Sequence, residues 1–257
     1  MRYSLLAGGK RIRPVLAMAT ARAIGEAPES VLPLAGAIEL IHTYSLIHDD
    51  LPAMDDDDLR RGRPTCHVRY GEDVAILAGD ALYAEAFHHL LTEQDGEPGR
   101  ILAAVRELAA ATGVDGMVGG QYIDVTSPPD TPDELRTLHA LKTGRLIGAS
   151  VSCVLLLHRV DGARASVLRR YAAELGVLFQ IVDDILDVTG TDDALGKPQG
   201  SDERHGKRTY VTHFGLDGAR RLAKECHAAA RASLRDAAPA GAPELEQITD
   251  FILTRTA

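Results

Sequence analysis

Gln180-Ile181-Val182-Asp183-Asp184-Ile185-Leu186-Asp187 is the stretch that decides the architecture. At ~3.6 residues per turn, Gln180, Asp183, Asp184 and Asp187 project within an arc of about 100° on a helix. The neighbours Phe179, Ile181, Val182, Ile185 and Leu186 are apolar, which predicts a mostly buried helix rather than a solvated one. Three carboxylates on one buried face would repel one another, and buried unpaired carboxylates are costly. A bound cation is the cheaper explanation. A second acidic cluster lies upstream in His48-Asp49-Asp50-Leu51-Pro52-Ala53-Met54-Asp55-Asp56-Asp57-Asp58-Leu59-Arg60-Arg61-Gly62-Arg63-Pro64-Thr65, where six aspartates fall within ten residues and three arginines follow. Taken alone it reads as a solvated acidic turn. Paired with the downstream helix it reads as a metal–phosphate site. Carboxylates are hard ligands suited to Mg²⁺, Mn²⁺ or Ca²⁺, and arginines are planar forks suited to phosphate.

Bulk properties agree with a helical protein. The 257 residues suffice for one large domain or two small ones, and 45% hydrophobic content permits a sizeable core. There is no Trp and only 4% aromatic content, so the core is aliphatic. The abundance of Ala, Leu, Arg and Glu favours helices. A formal charge of −9 argues against nucleic-acid binding. It suits an anionic substrate only if metal ions offset the aspartates. Cys66, Cys153 and Cys226 are widely spaced, without a CxxC pair, so neither a disulfide framework nor a thiolate zinc site is expected. A reducing cytoplasm is the expected compartment. No signal peptide precedes the first motif. The longest apolar run, Leu146–Leu157, has 12 residues, too few for a bilayer, and reads as a buried helix.

Taken in order, the chain is punctuated into helices. Gly9-Lys10-Arg11-Ile12-Arg13-Pro14 opens one that extends to Gly25, either as a solvated turn or as a phosphate cradle. A second helix, from about Val31 to Asp50, carries Leu34, Ile38, Ile41, Ser45 and Asp49 on one stripe, with His42 two turns below Asp49. His42 is a satisfied core histidine or a substrate contact. Pro52 ends the helix. Helices are expected over Glu72–Leu91, with Asp80 a buried hydrogen-bonded group, and over Ile101–Thr112. Gly113–Asp124 is rich in glycine and reads as a helix packed closely on a neighbour, with Gln121 and Asp124 placed to share a contact. Ser127-Pro128-Pro129-Asp130-Thr131-Pro132 is a break and a helix start. The helix to Arg159 is interrupted at Lys142-Thr143-Gly144, where glycine marks either a kink that aims Thr143 inward or a tolerated surface position. Ala163–Val188 bears the second acidic face. A polar loop over residues 189–208 contains Lys197 and Lys207, and the last helices are Leu216–Ala237 and Glu244–Arg255. There is no repeat, no alternating strand pattern and no domain boundary.

Two carboxylate faces ringed by Lys10, Arg13, Arg60, Arg61, Lys142, Lys197 and Lys207 suit a diphosphate whose departure metals would promote. Apolar helices beneath suit a hydrocarbon tail. A terpene cyclase would share this chemistry without needing the Lys10/Arg13 cluster. A phosphohydrolase would need more ordered histidines. An EF-hand fails, because the run from Asp55 has Leu59 and Arg60 where a ligand and the glycine belong.

These motifs, in this order from residue 8 to about 210, resemble the trans-isoprenyl diphosphate synthases (polyprenyl synthetases), most of all the bacterial farnesyl diphosphate synthases. Asp49-Asp50 through Asp55 with Arg60-Arg61 matches the first aspartate-rich motif in its form with two extra residues. Asp183-Asp184-Ile185-Leu186-Asp187 matches the second, and Gly8–Pro14 the isopentenyl diphosphate segment. Lys142-Thr143-Gly144, Gly120-Gln121 with Asp124, and Gly196-Lys197 match lesser signatures. The resemblance implies an all-α, single-domain helical bundle of the isoprenoid synthase type with a central cavity, over residues 1–257 and short of the usual N-terminal helix. It implies two to three Mg²⁺, with Mn²⁺ as a substitute, held by Asp49, Asp50, Asp55, Asp183, Asp184 and Asp187. Arg60, Lys142, Lys197 and Lys207 would bind the allylic diphosphate, and Lys10, Arg13, His42 and Arg61 isopentenyl diphosphate. Lys142, Thr143 and Gln180 are the implied catalytic set, Thr143 and Gln180 steadying an allylic cation. It further implies a cytoplasmic homodimer that acts on isoprenoid diphosphates, without nucleic acid or stable membrane insertion. Family members limit product length just upstream of the first motif, at Tyr44 and Ser45. Tyr44 stands about 7.5 Å below Asp49 along the helix, so farnesyl diphosphate is the expected product, with geranylgeranyl diphosphate second.

Overall fold

The computed structural model describes residues 1–191, 200, 206–238 and 241–256. A short α1 (Arg2–Leu5) precedes α2 (Ile12–Ile24) and α3 (Leu32–Asp49). The acidic loop closes on a two-residue antiparallel ribbon, β1 (Leu59–Arg60) and β2 (Arg63–Pro64). Then come α4 (Cys66–Tyr70), α5 (Glu72–Glu93), α6 (Pro98–Thr112), α7 (Met117–Thr126), α8 (Pro132–His139) and α9 (Arg145–Leu157). The long α10 (Gly162–Thr189), α11 (Tyr210–Ala237) and α12 (Pro243–Thr254) complete the all-α bundle. The ribbon escapes an alternation rule because each strand is only two residues long.

Two apolar clusters build the core, and α2 and α9 belong to both. Ile147, Val151 and Leu155 of α9 pack with α10, α11 and α12, while Leu146, Ala149, Cys153 and Leu157 pack with α3, α5 and α6. A helix enclosed on both sides must be apolar all round, which accounts for the Leu146–Leu157 run. Pro28–Asp49 and Pro132–Leu157 are each long and apolar enough to cross a bilayer by length and composition, yet 56% of each window is buried within the protein. They are core stretches.

Local chemistry sets the boundaries. Thr131 and Glu134 form a reciprocal capping box at the start of α8, with Pro132 in the first turn. Between α8 and α9 the backbone widens into a π-helical turn, Ala140–Gly144, so the expected kink is a local rewinding rather than a break. Gly144 is packed, not tolerated on a surface: a Cβ on Gly176 of α10 would lie 3.0 Å from its Cα. The helix expected from Gly113 begins only at Met117. α11 starts earlier than expected, at Tyr210, and bends where Gly215 adopts φ 68°. Asp80 departs from its expectation. Its side chain is 64% exposed, 3.9 Å from His48 Nε2, because it faces outward from α5.

Candidate active site

The C-terminal end of α3, the start of α2, the π turn and the C-terminal third of α10 surround one cavity of about 930 Å³. Its wall includes Lys10, Arg13, His42, Tyr44, Ser45, Asp49, Asp55, Arg60 and Arg61 from the first third of the chain. Facing them are Lys142, Thr143, Gln180, Asp183, Asp184, Asp187 and Lys207. The two acidic motifs, more than 120 residues apart in sequence, therefore share one wall system. Lys197 lies outside the described residues.

Asp50 is the exception. It is 3% exposed and turned from this cavity, and Arg60 donates Nε to its Oδ1 at 2.6 Å and approaches the same oxygen with Nη2 at 2.5 Å. Expected as a metal ligand, Asp50 here braces Arg60 and does not line the cavity beside Asp49, because adjacent residues on a helix end point about 100° apart. Burial opposes the Arg60 charge, but Asp50, with Asp57 and Asp49, outweighs it and raises its pKa. Asp49 faces the cavity, and burial raises its pKa against the pull of Lys142. Asp55 accepts from Lys207 Nζ at 2.9 Å.

Across the cavity, α10 divides its carboxylates between two tasks. Asp184 is 1% exposed and accepts from Gln180 Nε2 at 2.8 Å and from the Tyr210 amide at 2.7 Å. It ties α10 to the start of α11 and orients Gln180. Asp183 stays accessible, with Arg255 Nη2 3.0 Å from its Oδ1. Thr143 donates to Gln180 Oε1 at 3.0 Å, so its oxygen keeps its lone pairs for the cavity. The π turn makes this possible by inserting between two glycines. A Cβ on Gly120 of α7 would sit 2.3 Å from the Lys142 nitrogen, and Gly176 meets Gly144 on the other side. Lys142 Nζ thereby reaches Asp124 Oδ2 at 2.6 Å.

Cations gather at the other end. Arg13 lies 3.4 Å from His42 Nε2 and 5.8 Å above the Phe179 ring. Burial, then Arg13, pushes the His42 pKa well below its ordinary value, so the ring is neutral and able to accept. Burial lowers Arg13 to about 10. Lys10 is lowered by burial and by Arg255. Arg61 donates to the Gly8 carbonyl and rests where a Cβ on Gly9 would be, a seat only glycine at φ +108° leaves open. Arg11 is spent on Glu39. This cluster of cations, offset only in part by Glu39 and Asp183, suits an anion.

Some groups on this wall take partners the sequence did not give, and His139 and Arg255 escaped its reading. Asp124 bonds Lys142 rather than Gln121, and Lys207 lies 4.0 Å away. Gln121 and His139 present buried side-chain nitrogen and oxygen atoms without hydrogen-bond partners among the described residues. Arg255, near the C-terminus, is folded over the Phe179 ring at 4.3 Å. Nothing local marked Arg255, since its role depends on α12 returning to α10.

Among the described residues no three carboxyl, histidine or cysteine side chains converge tightly enough to hold a metal unaided. That donor set fits Mg²⁺, which takes one or two carboxylates and completes its octahedron with water and substrate phosphate.

The polyprenyl synthetase family model matches residues 1–240. A farnesyl diphosphate synthase of Geobacillus stearothermophilus is 48% identical over 261 residues, covering 99% of this chain and 87% of that protein. A chloroplastic geranylgeranyl pyrophosphate synthase of Capsicum annuum is 46% identical over 259 residues, covering 99% and 70%. The crystal structure of a geranyltransferase from Helicobacter pylori, complexed with magnesium and isoprenyl diphosphate, superposes with a TM-score of 0.87 at 34% identity, covering 98% of this chain and 85% of that one.

Proposed function

The chain belongs to the polyprenyl synthetase family and is a trans-prenyltransferase, and from that premise we propose that it joins isopentenyl diphosphate to dimethylallyl and then geranyl diphosphate, releasing diphosphate and making farnesyl diphosphate. The observation that carries the reading is the single cavity with acidic walls and lysines at one end, an arginine cluster at the other, and the Tyr44 ring in its lining. Lys142, Lys207 and Arg60 bind the allylic diphosphate, joined by Lys197. Lys10, Arg13, Arg61 and neutral His42 hold isopentenyl diphosphate. The allylic C–O bond breaks, and the developing cation faces the Thr143 and Gln180 oxygens, whose dipoles are fixed before reaction. The isopentenyl double bond attacks, one C–C bond forms, and a proton leaves to the released diphosphate.

Asp49, Asp55, Asp183 and Asp187, all in the cavity lining, would hold Mg²⁺, or Mn²⁺ in its stead. Such ions supply Lewis-acid stabilisation of the departing diphosphate. Asp184 and Asp50 orient their neighbours. The buried Tyr44 ring in the cavity lining, one helical stretch below Asp49, supports farnesyl diphosphate over the C20 product. Comparable identity to a geranylgeranyl synthase keeps C20 as the second reading. Product analysis with Mg²⁺, isopentenyl diphosphate and geranyl diphosphate tests both, with chelator as control. C15 as main product supports the Tyr44 floor, and C20 removes it.

We also place the enzyme in the cytoplasm as a homodimer. Three free cysteines accord with a reducing compartment. Exposed Val74, Ile76 and Leu77 on α5 supply an apolar surface for a second copy. Light scattering during gel filtration tests the dimer, and fractionation tests the location.

A further inference from the structure

Behind Tyr44 lies a second ring that does not itself line the cavity. Tyr44 and His48 of α3, one turn apart, face Gly79 and Tyr83 of α5, also one turn apart. At the upper level the His48 ring occupies the space of a side chain on Gly79, where a Cβ would lie 2.1 Å from Nε2. At the lower level the Tyr44 and Tyr83 rings meet edge-on, 5.0 Å between centroids at 75°. Tyr83 continues edge-on to Phe87, 5.2 Å away. The Tyr83 hydroxyl is 3.5 Å from Thr112 Oγ1 on α6. Thr112 is fully buried and donates its own proton to the Leu108 carbonyl at 3.0 Å, so Tyr83 is the donor in that contact. The Tyr44 ring is thus held between His48 on one side and a ring anchored to α6 on the other.

We infer that Tyr83 is a positioning residue for product length: tethered to Thr112 and braced by Phe87, it stops the Tyr44 ring from swinging toward α6 and so sets where the hydrocarbon end of the cavity stops. A growing chain presses on Tyr44, and Tyr44 alone could yield by rotating about its side-chain bonds. Tyr83 occupies the space into which it would rotate. This inference rests on Tyr44 being the floor, as in the proposed function.

The test compares wild type with Tyr44→Ala, Tyr83→Phe, Tyr83→Ala and the double alanine variant, using Mg²⁺, isopentenyl diphosphate and geranyl diphosphate. Product lengths, first-condensation rate and melting temperature are read together. Tyr83→Phe keeps the ring packing but loses the Thr112 contact, so it raises the C20:C15 ratio by a smaller factor than Tyr83→Ala. Tyr83→Ala raises the C20:C15 ratio about tenfold, the scale of one lost aromatic pair, with the first-condensation rate within roughly twofold. The double variant elongates beyond either single one. Should Tyr83→Ala not fold, Tyr83→Leu supplies the same comparison. If Tyr44→Ala elongates while the Tyr83 variant keeps the wild-type ratio, Tyr83 has no positioning role and the inference falls. If neither elongates, the Tyr44 floor fails and takes this inference with it. A merely structural Tyr83 would lower the melting temperature and leave chain length alone.

Discussion

Gly120→Ala should disable the enzyme without touching a substrate contact. The added Cβ would lie 2.3 Å from the Lys142 nitrogen, 2.7 Å from its Cα and 2.9 Å from its Cβ, whereas ordinary contact begins at 3.4 Å. Two of these atoms are backbone and cannot swing aside. α7 and the π turn must therefore separate by roughly 1 Å, and that seam carries the 2.6 Å Lys142–Asp124 bond and the placement of Thr143. A displacement of this size at a reacting centre costs about 10²-fold in rate. Overpacking costs about 1–3 kcal/mol in stability. The assay is steady-state condensation alongside urea unfolding. kcat should fall about 100-fold, while KM for isopentenyl diphosphate holds, because Lys10 and Arg13 stand on the other side of the cavity. Gly148→Ala is the control: beyond its own helical turn, no atom of the described residues lies within 4 Å of its Cβ position. It should stabilise α9 by about 0.5–1 kcal/mol and leave kcat unchanged. A folded Gly120→Ala enzyme with a rate within roughly threefold of wild type would refute the claim that the glycine seam sets the catalytic geometry.

Other substitutions separate the acidic residues by task. Asp49→Asn and Asp183→Asn should each lower kcat about 10²–10³-fold with little change in melting temperature, the scale of removing one electrostatic contact to developing charge. Asp50→Asn should instead destabilise the fold by roughly 2 kcal/mol, below the ~3–5 kcal/mol of a fully buried pair because Arg60 is partly exposed; urea titration distinguishes the two behaviours. Chelation should abolish condensation, and added Mg²⁺ should restore it, as followed by diphosphate release. Acid should destabilise the protein through His139, whose pKa burial lowers from 6.5 to about 4. Between those values the unfolded chain binds the proton and the fold does not, so this contribution is complete above 6.5 and is lost as pH falls toward 4. The slope is at most about 1.4 kcal/mol per pH unit for one proton, and His139→Gln should flatten it in unfolding curves taken across that range.

Periodicity made α3 and α10 legible, since apolar stripes and carboxylates at 3-to-4 spacing have only one compact arrangement. The Ser127–Pro132 break marked the start of α8, whereas α6 begins at Pro98, three residues before the expected Ile101. Gly144 showed that something interrupts α8–α9, but not that the turn would be π-helical, because that depends on Gly120 and Gly176 lying against it. Asp80 was misread for a related reason: a carboxylate inside an apolar run may face either way, and only the packing of α5 on α3 turned it outward.

The sequence by itself determined the chemistry available. An acidic helix end with its loop, an acidic helix face, a basic segment at Lys10–Arg13, and a tyrosine below the first motif are local features, each set by a short stretch of chain. Tertiary structure decided which atoms meet. It turned Asp50 onto Arg60 and Asp184 onto Gln180 and Tyr210, and it brought Arg255 from the last helix to Asp183. It also placed Tyr83 behind Tyr44. Helical spacing fixes a side chain's direction about its own axis, whereas its partner depends on how separate helices pack, and that is settled by the whole core at once.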